Sequence, residues 1–287
     1  MGMQSDLLAV LFALASAMTL AWGTVVRHRI AGQAPENSSP LTGIPIFSVV
    51  KRPLWWAGTV TAFVGYGFQV AALSYGTLLV VQPVLVLSLM FTLPLSAYYD
   101  GRRTTATEMM WCGILSLAVA TLVVVGKPAP GMTQPPLSLW IPAIAVGAVV
   151  LGILYRLAFS CPKQWRAVLL GIVTSGLFGY VAVFSKAAVN IVGEQGAIGL
   201  VTNWEPSAVI IGATLATAMQ QSSFHADALE NSLPAMTISG PIVAFVLGYL
   251  VLGEKFQVSG YSWIYIVASL IAMVTAAIAL SRHSPSA

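Results

Sequence analysis

The sequence predicts an all-α integral membrane protein with about nine transmembrane helices. Of its residues 57% are hydrophobic and only 8% are charged, whereas a soluble domain contains roughly 25% charged residues. Residues 53–98 lack a charged side chain altogether, and about 20 apolar residues are needed to cross a bilayer core. This stretch therefore predicts two spans joined by a tight turn near Ser74, Tyr75 and Gly76. Both spans must be helical, because the hydrocarbon offers the backbone no water.

Apolar segments separated by short polar connections give the other spans. We expect the first span over residues 7–26, the fourth over 108–125, the fifth over 137–155 and the sixth over 167–191. The seventh begins at Pro206, the eighth covers 233–252 and the ninth covers 260–280. The run 127–136 is rich in proline, which is typical of a linker between helices. The first span lacks the basic start and the cleavage site of a signal peptide, so we expect it to be retained.

The positions of the basic residues predict the orientation. With the N-terminus outside, ten of the thirteen Lys and Arg residues lie on the cytoplasmic side, as the positive-inside rule requires. The other three are Lys127 and Lys255 in outer loops and Lys186 near the outer end of the sixth span. The C-terminus is then cytoplasmic. Short loops and the lack of a targeting segment favour a bacterial inner (cytoplasmic) membrane.

Weak internal similarity predicts a repeat. Residues 15–27 align with 174–186, residues 68–73 align with 224–229, and Pro83 aligns with Pro241, all at nearly the same offset. We therefore expect one transmembrane domain over 1–287, with a first repeat at 5–126, a linker and fifth span at 127–158, and a second repeat at 166–282. Spans 1–4 and 6–9 are then inverted repeats around a central cavity, with span 5 as connector. Inverted repeats are typical of secondary transporters, whose substrate site lies near the midplane.

Several short segments resemble a known family. Residues 52–58 read Arg-Pro-Leu-Trp-Trp-Ala-Gly, residues 71–73 read Ala-Ala-Leu and residues 81–83 read Val-Gln-Pro, with Asp100 in the following loop. These resemble the drug/metabolite transporter superfamily, and the stretch from Pro241 to Leu-Gly-Glu254 is similar to its EamA-type repeat. The Leu-Trp-Trp start and the nine spans resemble the NIPA-like branch.

This resemblance implies a central cavity and transport without ATP. NIPA-like proteins are associated with magnesium, and other members of the superfamily export amino acids, drugs or other metabolites. One feature departs from the pattern: EamA-type members usually have five helices in each repeat, whereas the first repeat here has four.

Polar and aromatic residues inside the spans are the candidates for substrate binding, because hydrocarbon penalises polar groups unless they face a cavity or a partner. The candidates are Trp22, Tyr66, Gln69, Gln82, Tyr180, Gln220 and Gln221. Pro83 and Pro241 each fall early in a span and can break the helix, freeing carbonyls toward the site. The alternative for both prolines is a packing kink. Small residues at 171, 175 and 179 predict a helix-packing seam instead of a ligand site.

Candidates for ion coupling are His225, Asp227, Glu230 and Lys186. A histidine titrates near neutral pH, so His225 with Asp227 predicts a proton-coupling pair. The alternative is that residues 222–232 form an ordinary cytoplasmic loop. Lys186 either lines the cavity or extends to the outer membrane surface. Asp100 and Glu254 end corresponding spans, and we expect both at membrane surfaces as gate or capping residues.

Motifs for other classes of function do not occur. The sequence has no phosphate loop, serine elbow or His-Glu-x-x-His pair, and its two cysteines favour neither a disulfide framework nor a metal site. We therefore expect no enzyme, catalytic residue, cofactor or nucleic-acid partner. The leading hypothesis is a secondary transporter, an exporter of a small organic metabolite or drug, with proton coupling left open. The alternatives are a Mg²⁺ transporter, a translocase of lipid or lipid-linked sugar, and a membrane scaffold subunit. The partners are the bilayer and a small-molecule substrate, with a homodimer left open.

Overall fold

The computed structural model describes residues 3–32, 53–99, 101, 103–226 and 229–283. The described chain is mostly helical, which confirms the all-α prediction. The helices are α1 Met3–Gly32, α2 Pro53–Tyr75, α3 Leu78–Val86, α4 Ser88–Tyr99, α5 Ala106–Gly126, α6 Leu137–Ala158, α7 Lys163–Gln195, α8 Gly199–Thr202, α9 Glu205–Ala226, α10 Leu229–Leu250 and α11 Ser262–His283. About six to nine of these apolar helices could span a membrane.

Two connections differ from the expected pattern. The sixth span was expected to end near residue 191, but α7 continues to Gln195, where Gly196 with a φ of 68° ends it. A 3₁₀ turn, Gly196–Ile198, and the short helix α8 then occupy most of the expected loop. The third span is divided into α3 and α4, which meet at Leu87.

The two prolines expected to break helices behave differently from each other. Pro83 lies inside α3, four residues before the change of helix at Leu87. At Pro241 the expected break does not occur, because α10 is continuous from Leu229 to Leu250. Proline has a backbone angle close to the helical value, and membrane helices tolerate the one hydrogen bond that it removes.

Packing between helices follows a similar pattern in the two parts of the chain. In the first part, α1 packs against α2, α3 and α4. In the second part, α7 packs against α9 and α10. The two parts meet where α3 contacts α10, where α5 contacts α11 and where α2 contacts α7. The connector α6 packs against α7 and exposes most of its surface.

Small residues permit the close approaches. Buried alanines recur every four residues along α1, at Ala9, Ala13, Ala17 and Ala21, so α1 presents a flat face to its neighbours. Between α7 and α10, a Cβ added at Gly179 would lie 2.8 Å from the carbonyl oxygen of Gly240. The expected small-residue seam of α7 therefore lies against α10.

A two-stranded ribbon ties two connections together at one end of the bundle. Strand β1, Pro128–Ala129, pairs antiparallel with β2, Lys255–Phe256. The backbone N–H of Met132 donates to the carbonyl of Leu252 at 2.6 Å, and that of Gln257 donates to Gly126 at 3.1 Å. The α2–α3 connection, residues 76 and 77, lies at the same end, as does Leu78, which follows it. We call this end of the bundle the turn end.

Candidate functional site

The chain reverses direction between α2 and α3 at Gly76 and Thr77. Helix α2 ends at Tyr75, and α3 begins at Leu78 after Thr77, whose backbone is extended (φ −84°, ψ 160°). This is the tight turn that the sequence predicted near residues 74–76. Gly76 is buried against α1, and a Cβ there would lie 2.5 Å from that of Ala9. The turn therefore leaves the ends of two helices, with their free carbonyl and N–H groups, inside the protein.

Lys186 of α7 satisfies the carbonyls at the end of α2. Its Nζ donates to the carbonyl oxygens of Leu73 at 2.6 Å and Gly76 at 2.8 Å, and only 6% of the residue is exposed. A cation is favoured at a helix C-terminus, because the helix dipole places partial negative charge there. The expected alternative of a side chain extending to the membrane surface is not what the structure shows, because the ammonium group is directed inward to α2.

Glu254 satisfies the N–H groups at the start of α3. Its Oε1 accepts from the N–H of Leu78 at 3.0 Å, and its Oε2 accepts from that of Leu79 at 3.1 Å. Glu254 follows a turn at Gly253 (φ 69°). The sequence predicted Glu254 at a membrane surface, as a gate or capping residue. Within the protein its side chain is buried, with only 1% of the residue exposed. It does cap a helix, although the helix belongs to the other part of the chain.

The two side chains bring opposite charges to one buried place. Glu254 lies between α10 and α11, outside the candidate membrane spans. Burial raises the pKa of its carboxyl group, while the N–H groups of Leu78 and Leu79 and the charge of Lys186 act in the opposite direction. The four hydrogen bonds from this pair hold one turn, so the α2–α3 turn and the Lys186–Glu254 pair together form the candidate site.

A second polar contact joins α2 to α7. The hydroxyl groups of Tyr66 on α2 and Ser185 on α7 are hydrogen-bonded, and the Ser185 hydroxyl donates to the carbonyl of Val181 at 2.6 Å. Ser185 precedes Lys186, so consecutive residues of α7 hold α2 at two levels. Tyr66, a candidate for substrate binding, thus contributes to the junction between the two parts of the chain.

Gln82 is the buried candidate whose amide nitrogen has no hydrogen-bond partner in the described part of the chain. It lies on α3, about one helical turn after Leu78, and its exposure is 5%. Its Nε2 has no hydrogen-bond partner among the described residues, and the same holds for the hydroxyl groups of Thr77 and Thr174. Burying a polar group without a partner costs about 1–3 kcal/mol, so Gln82 is the strongest candidate for contact with a substrate.

Tyr180 is held by the connector helix. Its hydroxyl donates to the carbonyl of Ala143 on α6 at 2.6 Å and lies against Gly147. Its ring also belongs to an aromatic cluster with Phe184, Trp140 and Trp204. The candidate Tyr180 therefore anchors α6 to α7.

The other candidates are not gathered at the turn end by any described contact. Trp22 on α1 is 47% exposed, and Gln69 on α2 and Gln220 on α9 are partly exposed. Gln221 and His225 belong to α9 and Glu230 belongs to α10, but their side chains are outside the described part of the chain, as are Asp227 and Asp100 altogether. Helix α9 reaches Ala226 and α10 starts at Leu229, so most of the region 222–232 is helical.

No metal-binding group is found among the described residues. Within residues 3–32, 53–99, 101, 103–226 and 229–283, no three His, Cys, Asp or Glu side chains are placed to hold one metal ion.

The long apolar helices define a helical protein of the membrane-spanning type. The chain belongs to the same family as an uncharacterized protein of Corynebacterium glutamicum, to which it is 56% identical over 282 residues, covering 98% of this chain and 97% of that protein. No family model matches the sequence. No solved structure matches it either.

Proposed function

We propose that the protein is a secondary transporter that exports a small organic metabolite or drug across the cytoplasmic membrane by alternating access. In this proposal helices α1–α5 and α7–α11 are inverted repeats, with α6 as the connector. The resemblance of residues 52–58, 81–83 and 241–254 to the drug/metabolite transporter superfamily is one source of support.

The observation that carries the proposal is the recurrence of the same helix neighbours in both parts of the chain. The first helix of each part, α1 or α7, packs against the next two spans of its own part. The parts then meet through like pairs, α3 with α10 and α5 with α11. Two similar units that meet in this way can rock against each other and expose a site between them to each side in turn.

Gln82 is the residue through which we propose substrate contact. Its amide lies on α3, the helix that meets the second part of the chain, and its Nε2–H group has no partner among the described residues. Proteins retain costly polar groups mainly where function needs them. A substrate with a carbonyl, carboxylate or hydroxyl oxygen would supply the missing acceptor.

Purified protein in proteoliposomes tests this proposal. Flux would be measured for a panel of amino acids, nucleosides, drugs, Mg²⁺ and lipid head groups, against protein-free vesicles. We expect flux of a small organic solute that Gln82→Leu abolishes while the thermal midpoint rises, because the variant removes an unpaired buried donor. Gln257→Leu, at an exposed position of the turn end, is the matched control and should leave flux unchanged.

The panel also separates the alternatives. Flux of Mg²⁺ alone would identify the cation, and not an organic solute, as the substrate. Flux of lipid head groups alone would favour a translocase. Absence of all flux from well-folded protein would favour a scaffold subunit and contradict transport. His225→Gln and Asp227→Asn test proton coupling: if flux stays dependent on the proton gradient in both variants, the proposed coupling pair is wrong.

A further inference from the structure

The α2–α3 turn is held by side chains from the other part of the chain. All four hydrogen bonds described above, two from Lys186 and two to Glu254, cross from the second part to the first. None of them is an internal backbone bond of a helix. The turn can therefore separate from the second part without unwinding α2 or α3.

We propose that Lys186 and Glu254 form a gate that closes the turn end of the transport pathway by latching the α2–α3 turn. The inference rests on the proposed transport function, and it adds where the pathway closes and which groups release it. Opening breaks the four hydrogen bonds, and the turn moves away from α7 and α10 with the rest of the first part.

The turn contains its own replacement for Glu254. Thr77 occupies the N-cap position of α3, yet its hydroxyl caps nothing and has no partner within the described chain. A threonine at this position ordinarily accepts from the N–H group two or three residues on, and Leu79 is two residues on. In the closed state Glu254 accepts from Leu79. Once Glu254 leaves, Thr77 can cap the helix, so release leaves α3 with a cap.

The charges are also accommodated after release. Lys186 and Glu254 both belong to the second part of the chain, on α7 and after α10. Losing one partner of a buried pair is strongly destabilising, because the other charge remains uncompensated. Here the two charges stay together and can bond to each other. The carbonyls of Leu73 and Gly76 are at a helix end, where water can satisfy them once the turn is free.

Thiol labelling tests the gate without any substrate. Leu79 is 1% exposed, so Leu79→Cys reports opening of the turn to a water-soluble maleimide. Cys161→Ser removes the partly exposed native thiol, and the buried Cys112 on α5 stays as a reporter of global unfolding. The full-length protein is labelled in nanodiscs.

We expect Lys186→Met and Glu254→Gln each to speed labelling of the Leu79→Cys reporter by about tenfold or more, since losing one hydrogen bond to a charged group shifts an equilibrium by about that factor. Lys255→Met removes an exposed charge beside Glu254 and should leave the rate unchanged. Thr77→Val should slow labelling about fivefold, because the open state loses its cap.

Three results would overturn the gate. Unchanged labelling in both charge variants means that the pair does not hold the turn. An equal rise in the labelling rate of Lys255→Met means that loss of any charge near the turn has the same effect. Faster labelling of Cys112 in parallel means that the variants loosen the whole bundle. Flux measurements separate this inference from the proposed function. If the charge variants speed labelling but the protein shows no flux, the latch stands and the transport function is refuted. If the protein shows flux but the charge variants do not change the labelling rate, the latch alone is refuted.

Discussion

Gly76 and Gly67 should respond in opposite ways to the same substitution. Gly76 lies in the α2–α3 turn, buried against α1, whereas Gly67 lies on the exposed side of α2 with nothing within 4 Å of an added Cβ. Both have negative φ, so an alanine is not strained by the backbone at either position. Gly76→Ala and Gly67→Ala therefore differ in the space that the methyl group finds and in local structure, because Gly67 lies within helix α2 and Gly76 lies in the turn after it.

The contact at Gly76 determines how much stability Gly76→Ala should lose. The new Cβ would lie 2.5 Å from that of Ala9, whereas carbon atoms in contact are about 3.5–4.0 Å apart. Since both atoms are fixed to backbone, α1 and the turn must separate by about 1 Å or more. Overpacking of this kind costs about 1–3 kcal/mol. At Gly67 the alanine should instead gain up to about 1 kcal/mol, from the helix propensity.

Thermal unfolding in detergent measures both variants, by fluorescence-detected size exclusion after heating. A kcal/mol corresponds to about 2–4 °C in a chain of roughly this size, so the Gly76→Ala midpoint should fall by several degrees while the Gly67→Ala midpoint stays or rises slightly. If Gly76→Ala matches or exceeds the wild type in stability, the turn does not pack on α1 as described, and the buried geometry of the site is wrong.

Three further variants test other contacts by the same measurement. Gly147→Ala should cost about 1–3 kcal/mol, because its Cβ would lie 1.9 Å from the Tyr180 hydroxyl oxygen, whereas Gly152→Ala on the same helix meets open space; equal effects would contradict the α6–α7 contact. Lys186→Met leaves two buried carbonyls without donors and should lower the unfolding free energy by about 2–5 kcal/mol, and a neutral result would contradict its burial. Because burial raises the pKa of Glu254, the folded protein binds that proton more firmly than the unfolded chain, so stability should fall as pH rises from about 4.3 through the folded pKa. Glu254→Gln should remove this dependence of stability on pH, and a dependence that persists in the variant belongs to another group.

The elements of the fold were largely predictable because the spans are marked by local composition. The tight turn near residue 75 was visible as the point where one uncharged stretch became too long for a single helix. The extra length of α7 was not, since Glu194 and Gln195 are polar and follow Gly193, and no pattern distinguishes a helix leaving the membrane from a loop. The continuity of α10 at Pro241 also depends on neighbours that the sequence does not reveal.

The candidate site was predictable only in part, because its partners are far apart along the chain. The sequence singles out Lys186 near the end of an apolar span and Glu254 as the residue that ends another, but the carbonyl of Gly76 and the N–H of Leu78 carry no side-chain signal. Leu78 and Glu254 are 176 residues apart. Buried charge indicates that a partner exists and does not identify it, so the sequence did not predict that both residues bond to the α2–α3 turn.

The exposed connector α6 has a consequence for how relatives of this protein diverge. Side chains such as Ile141, Val146 and Val149 each expose about 60% of their surface, so any apolar residue that lipid can solvate will serve there. The face of α6 that packs on α7 is constrained by Gly147, which must stay small so that the Tyr180 hydroxyl can donate to the carbonyl of Ala143. We expect the sequence of α6 to diverge faster among relatives than that of the other helices. Its lipid-facing positions can accept any apolar residue, whereas the position of Gly147 should remain small.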